Sequence, residues 1–209
     1  MKKTIYGLFF GDSITYGEYD GVFGGWVDIL KRYALQKYNE GNSNELILFN
    51  LGIGGETTEG LVRRIPHEMA ARNSAEGNVV FIGYGANDLA VKNGARMVHP
   101  EDFKKNIVIA IQEAKKYTAD IYLVSILPFS KNVDGVVVAS GKRRTNEDVL
   151  VYNQILTDIA LENSCSYIDF YEAYSADKEI LLSADGVHPN EKGYGMMAEI
   201  AIPIIEKYL

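Results

Sequence analysis

Four short polar blocks in this chain carry the residue types that acyl-transfer chemistry needs. They are Gly11-Asp12-Ser13, then Gly54-Gly55-Glu56-Thr57, then Gly85-Ala86-Asn87-Asp88, and last Asp185-Gly186-Val187-His188-Pro189. A serine hydroxyl is a weak nucleophile until a base takes its proton, and an imidazole titrates close enough to neutrality to do so. A carboxylate on the far ring nitrogen fixes the tautomer and stabilises the imidazolium. Ser13, His188 and Asp185 offer those groups, with Gly186 allowing a tight turn between the last two. Attack on an acyl carbonyl builds negative charge on oxygen, which pre-placed donors must meet. The backbone N–H groups of Ser13 and Gly55 and the side-chain amide of Asn87 are the candidates.

The segments before these blocks say how they are positioned. The apolar runs 5–10, 46–51 and 78–84 stop at the first, second and third blocks, and 121–127 (stopped by Pro128) and 167–170 are two further runs. They are continuous rather than alternating, which marks strands buried on both faces of a parallel sheet. Helical spacing appears between them. Trp26, Ile29, Leu30, Tyr33 and Lys37 form one stripe, closed by Gly41-Asn42-Ser43-Asn44. A second helix starts near Thr58 and is expected to be disturbed at Pro66. Phe103, Ile107, Ala110, Ile111 and Ala114 form a third, with Pro100 in its first turn. Val149, Tyr152, Leu156 and Ile159 mark a fourth, capped by Thr145 or Asn146, and Met197, Ala201, Ile204 and Tyr208 mark the last. With right-handed crossovers the expected fold is α/β: a three-layer α/β/α sandwich on a five-stranded parallel sheet, one domain over 1–209. All strand carboxyl ends then face one way, and the polar turns converge.

Composition narrows the partners. The formal net charge is -7 and the 21 Lys and Arg form no long cluster. That argues against nucleic acid and against an anionic membrane surface, so no stable membrane association is expected. No apolar segment approaches the ~20 residues needed to span a bilayer. The run after Met1-Lys2-Lys3 is too short and too polar for a signal peptide, and the single Cys165 cannot form an internal disulfide. A cytoplasmic protein is the expectation, with the oligomeric state open.

The four blocks together resemble the SGNH (GDSL-type) hydrolases. Gly11-Asp12-Ser13 is similar to that family's first block, with Ile14 where the family name has Leu. The stretch from Asn50 to Thr57 resembles its second, Gly85-Ala86-Asn87-Asp88 its third, and Asp185 to Pro189 its last, all in the family's order. The resemblance implies a flavodoxin-like fold, with Ser, Gly, Asn and His roles falling on Ser13, Gly55, Asn87 and His188. It implies hydrolysis of a small-molecule carboxylic ester, with no cofactor and no metal. Its substrates span sugar-acetyl, aryl, lysophospholipid and thioester compounds. A cytoplasmic location favours a short acyl group on an acetylated sugar or another soluble acyl ester.

Two other chemistries use the same turns. Asp12, Asp88, Asp185 and His188 could ligate a metal in a phosphoesterase, though such a site has no use for Ser13 or Asn87. A flavodoxin-like binding module could hold an anion on its Gly-rich turns, but neither glycine fingerprint for a phosphate occurs. Asp12 and Asp88 are expected to organise loops by accepting backbone N–H bonds. Tyr16, Tyr19 and Tyr84, near the motif turns, are candidates to line a pocket. His67 and His99 are expected at helix edges and Cys165 in the core. The stretch 129–144 is too long for an ordinary connection and suggests an arm over the site or an oligomer contact.

Overall fold

The computed structural model describes residues 2–41 and 43–209, which leaves Asn42 of the expected helix stop outside the described residues. Strands β1 (Thr4–Gly11), β2 (Glu45–Gly52), β3 (Asn78–Gly83), β6 (Ile121–Val124) and β8 (Ser166–Ile168) form one sheet in the order β2-β1-β3-β6-β8. Every pairing in it is parallel. The chain runs outward from β1 to β2, then returns to build on the other side of β1. That reversal between β1 and β3 opens a crevice at their carboxyl ends.

Alternation along the strands builds two cores. Leu8 and Phe10, Val80 and Ile82, and Ile121 and Leu123 face α3 (Thr58–Ala71), α4 (Pro100–Ala114) and α5 (Asn146–Glu162). Ile5 and Phe9, Val79 and Phe81, and Tyr122 and Val124 face α2 (Trp26–Asn39) and α8 (Glu191–Ile205). Helices on both faces bury the sheet, giving the expected α/β/α layering. Phe9 stacks on Phe81 at 4.1 Å and meets Trp26 edge-on, tying β1, β3 and α2 together.

The differences from sequence expectation are local. Helix α3 continues through Pro66 to Ala71, so His67 lies inside it on an exposed face rather than at an edge. The ring removes only the bond to the Val62 carbonyl, and Leu61, Ile65 and Met69 remain buried on both sides of it. His99 does stand at the start of α4, but its side chain makes no capping hydrogen bond. The fifth strand ends at Ile168, because Asp169 caps a short helix α6 (Phe170–Ser175). Cys165 is only partly buried, packed against the core at the sheet's edge.

The stretch 129–144 is not a free arm. Its end forms β7 (Lys142–Arg143), which pairs with β4 (Val91–Lys92), itself paired with β5 (Ala95–Arg96), in a small antiparallel sheet. Asn146 fastens its base, bonding Phe129 from both ends of its amide and Asp134 besides.

Candidate active site

Strand β1 ends by handing the chain to a single helical turn, α1 (Ser13–Tyr16). Asp12 caps that turn, its Oδ1 accepting the Ile14 N–H at 3.0 Å, and Gly17 closes it in the left-handed region. Ser13 is therefore the first helical residue at the sheet's carboxyl edge, and its N–H has no intrahelical acceptor. Close packing depends on Gly52, where a Cβ would collide with the Tyr16 backbone.

The last block arrives from the far end of the chain. Asp185 Oδ1 accepts the N–H groups of Val187 and His188, at 3.0 and 3.1 Å, which shapes the turn. Its Oδ2 meets His188 Nδ1 at 2.5 Å, and His188 Nε2 stands 2.7 Å from Ser13 Oγ. One carboxylate thus holds both the loop and the ring. Burial pushes Asp185 up, but the bond to His188 and the two backbone N–H groups outweigh it, leaving the carboxyl below its ordinary value. An ionised Asp185 requires Nδ1 to carry the proton, which turns the lone pair of Nε2 toward Ser13. Tyr19, held at φ 71, lays its ring 4.9 Å from the imidazole, and Glu18 reaches within 3.9 Å of Nε2.

On the other side of Ser13 lies the turn after β2. Gly55 sits there at φ +76, a conformation an L side chain seldom adopts. Behind it Glu56 is bound by Arg64 (2.8 Å) and by the Tyr84 hydroxyl (2.6 Å), and Arg64 also donates to the Leu51 carbonyl. This partly buried network anchors the turn to α3 and β3. The N–H groups of Ser13 and Gly55 have no protein acceptor among the described residues.

Asn87 is held at both ends. Its Oδ1 accepts from Lys142 Nζ at 2.8 Å and Arg144 at 3.3 Å, and Arg144 also binds the Ala86 carbonyl. Two cationic donors on one atom identify it as the oxygen, so the other end is the donor. That Nδ2 makes long contacts to Asp12 Oδ2 (3.3 Å) and the Glu56 carbonyl (3.2 Å). Beneath it, Asp88 receives the N–H and hydroxyl of Thr58 at 2.9 and 2.5 Å. Burial raises Asp12 and Asp88 each to about 6.

Ser13, Gly55, Asn87, Asp185 and His188 all line one cleft of about 310 Å³. Of the three tyrosines expected beside it only Tyr19 does so. Tyr16 is exposed elsewhere and Tyr84 is buried in the Glu56 network. Lys142, Arg144 and Glu18 were not anticipated. Glu18 lies in a loop, and Lys142 and Arg144 belong to the charged run Lys142-Arg143-Arg144 at the end of the 129–144 stretch, where no periodicity marks a side chain as facing the site. Asp12, Asp88 and Asp185 are each committed to shaping a different turn, and among the described residues no group of three His, Cys, Asp or Glu is disposed to hold a metal ion.

This constellation invites comparison with known proteins. Residues 9–196 match the model of the GDSL-like Lipase/Acylhydrolase family. The chain belongs to that family. It is accordingly an esterase or acylhydrolase of the SGNH hydrolase group. It is similar to Esterase TesA of Pseudomonas aeruginosa, 25% identical over 204 residues, covering 97% of this chain and 88% of that protein. A lipolytic G-D-S-L family protein from Veillonella parvula superposes with a TM-score of 0.75 at 27% identity, covering 97% and 99% of the two chains. A lipase/acylhydrolase from Enterococcus faecalis shares the fold with a TM-score of 0.78 at 23% identity, covering 99% and 96%. The GDSL enzyme thus has known relatives across its whole sheet and all four motif turns.

Proposed function

We propose that this GDSL hydrolase cleaves short-chain carboxylic esters of small soluble molecules, such as acetylated sugars, with Ser13 as nucleophile. The observation that carries the reading is the continuous hydrogen-bonded line Ser13 Oγ, His188 Nε2, His188 Nδ1, Asp185 Oδ2 at 2.7 and 2.5 Å. Ser13 Oγ attacks the ester carbonyl carbon while His188 Nε2 takes its proton. Asp185 keeps the ring in the required tautomer and stabilises the imidazolium. The N–H groups of Ser13 and Gly55 and Nδ2 of Asn87 receive the oxyanion. Collapse of the tetrahedral intermediate breaks the ester C–O bond, and His188 returns the proton to the departing alcohol. Water, deprotonated by the same imidazole, then releases the acid and restores Ser13.

The short acyl preference is supported by the modest cleft, which stands at the small end of ligand sites at about 310 Å³. Charged Glu18, Lys142 and Arg144 on its walls disfavour a long alkyl chain. The test is hydrolysis of p-nitrophenyl esters from acetyl to palmitoyl, with and without chelator. Chelator-resistant turnover that falls with chain length is expected. A rate rising with chain length would instead indicate a lipid or fatty-acyl thioester substrate.

A further inference from the structure

The cleft carries an imbalance of charge that hydrolysis of a neutral ester does not explain. Lys142 and Arg144 line it, both partly withdrawn from solvent, and burial holds both below their ordinary pKa values. Neither forms an ion pair with a carboxylate among the described residues. Their hydrogen bonds go to neutral oxygens, Oδ1 of Asn87 and the Ala86 carbonyl. A third cation aggravates this, because Lys92 on β4 stands directly opposite Lys142 on β7. Like charges at directly opposed positions destabilise a strand pair. Asp12 and Asp88 attract Lys142, and Asp12 and Asp185 attract Arg144, but only from beyond ion-pair distance, and Asp12 and Asp88 lie behind Asn87 rather than in the cleft. The cleft's own carboxylates lie with the triad: Asp185 is bound to His188, and Glu18 is 3.9 Å from Nε2.

We propose that the substrate is an anionic ester, whose carboxylate or phosphate group is received by Lys142 and Arg144 beside Asn87. The proposal rests on the serine-esterase reading above and adds the charge of the substrate to it. Lys142 Nζ and Arg144 hold donors beyond those that bind Asn87 and Ala86, so an anion can be added without releasing Asn87, forming charge-assisted hydrogen bonds and offsetting the Lys92–Lys142 repulsion. Holding the anion next to Asn87 also fixes the ester relative to the oxyanion donors.

Two matched pairs of substrates test it, one for each side of the ester bond. Mono-4-nitrophenyl glutarate against 4-nitrophenyl valerate places the charge on the acyl group. 4-Acetoxybenzoate against its methyl ester places it on the leaving group. In the wild type, the anionic member of at least one pair should show kcat/KM about tenfold higher, an advantage that declines with added NaCl. Lys142→Met should remove that advantage and Lys142→Arg should keep most of it. Competition by inorganic phosphate and by glutarate, each against the preferred ester, tells which anion is received. If Lys142→Met slows both members of a pair equally, the cations only brace Asn87 and the proposal is wrong. Neutral esters matching anionic ones in the wild type, with no salt effect, overturn it without any variant. Absence of Ser13-dependent turnover of every ester is a different result, and it removes the esterase reading itself.

Discussion

Lys142 Nζ donates to Asn87 Oδ1 across 2.8 Å, so a residue of the long 129–144 excursion fixes the orientation of an amide that follows β3. The bond gives the excursion a purpose within the site. With Arg144 it pins the oxygen end of Asn87 and leaves the nitrogen end as the donor. Asn87→Ala should therefore lower kcat by ~10²–10³-fold while changing KM much less, as expected for a donor used chiefly in the transition state. Steady-state kinetics on p-nitrophenyl acetate distinguishes this from a binding role, in which KM would carry the loss.

Asp185→Asn tests the positioning of the base. The variant keeps an Oδ1 acceptor for the Val187 and His188 N–H groups, so the turn should persist. It loses the carboxylate that selects the tautomer, and kcat should fall on the order of 10²–10⁴-fold with an unchanged circular dichroism spectrum. A loss below tenfold would mean that His188 is oriented by something else.

Gly55→Ala addresses the turn after β2. The space around Gly55 is open, so no clash is introduced; only the φ of +76 opposes a side chain. The expected cost is about 1–2 kcal/mol in stability, read from urea unfolding. Activity should fall more than stability predicts, because relief of the strain turns the Gly55 N–H away from the oxyanion.

The buried carboxyls Asp12 and Asp88 predict a pH dependence of stability. Both are raised from 3.8 to about 6 in the folded chain, chiefly by burial. Between about pH 4 and 6 the folded state binds protons that the unfolded state has released, so stability falls as pH rises through that window. Each ionised group is disfavoured by on the order of 3 kcal/mol. Asp185, lowered, has the opposite sign: its contribution is present above pH ~4 and lost as pH falls further. Thermal unfolding should therefore show Tm higher near pH 5 than at pH 7.5. Asp12→Asn, which keeps an acceptor for the Ile14 N–H, should flatten that slope; an unchanged slope would contradict the assignment.

The sheet and the polar turns that end its first three strands were legible because their signals are local. Apolar runs stopping at Gly-Asp-Ser, Gly-Gly and Gly-Ala-Asn-Asp reveal strand ends, and parallel packing alone carries those ends to one side. The small sheet was not legible. Its strands are two residues long, too short for any periodicity, and although the Asn93-Gly94 turn between β4 and β5 is a local hairpin signal, β7 joins β4 across dozens of intervening residues. Lys142 and Arg144 were hidden for the same reason. The early end of the fifth strand followed from Asp169, whose capping of the Glu172 N–H competes with strand extension. Pro66 misled in the other direction, since burial of Leu61, Ile65 and Met69 outweighs one missing hydrogen bond.

The most direct test of the central claim is turnover of p-nitrophenyl acetate by wild type and Ser13→Ala, alongside labelling by a serine-directed fluorophosphonate. The account predicts chelator-resistant hydrolysis and stoichiometric labelling in the wild type. In Ser13→Ala, labelling should vanish and kcat/KM should drop at least about 10³-fold. A Ser13→Ala protein that retains full activity, or wild-type activity that disappears with chelator and returns with a divalent metal, would contradict it.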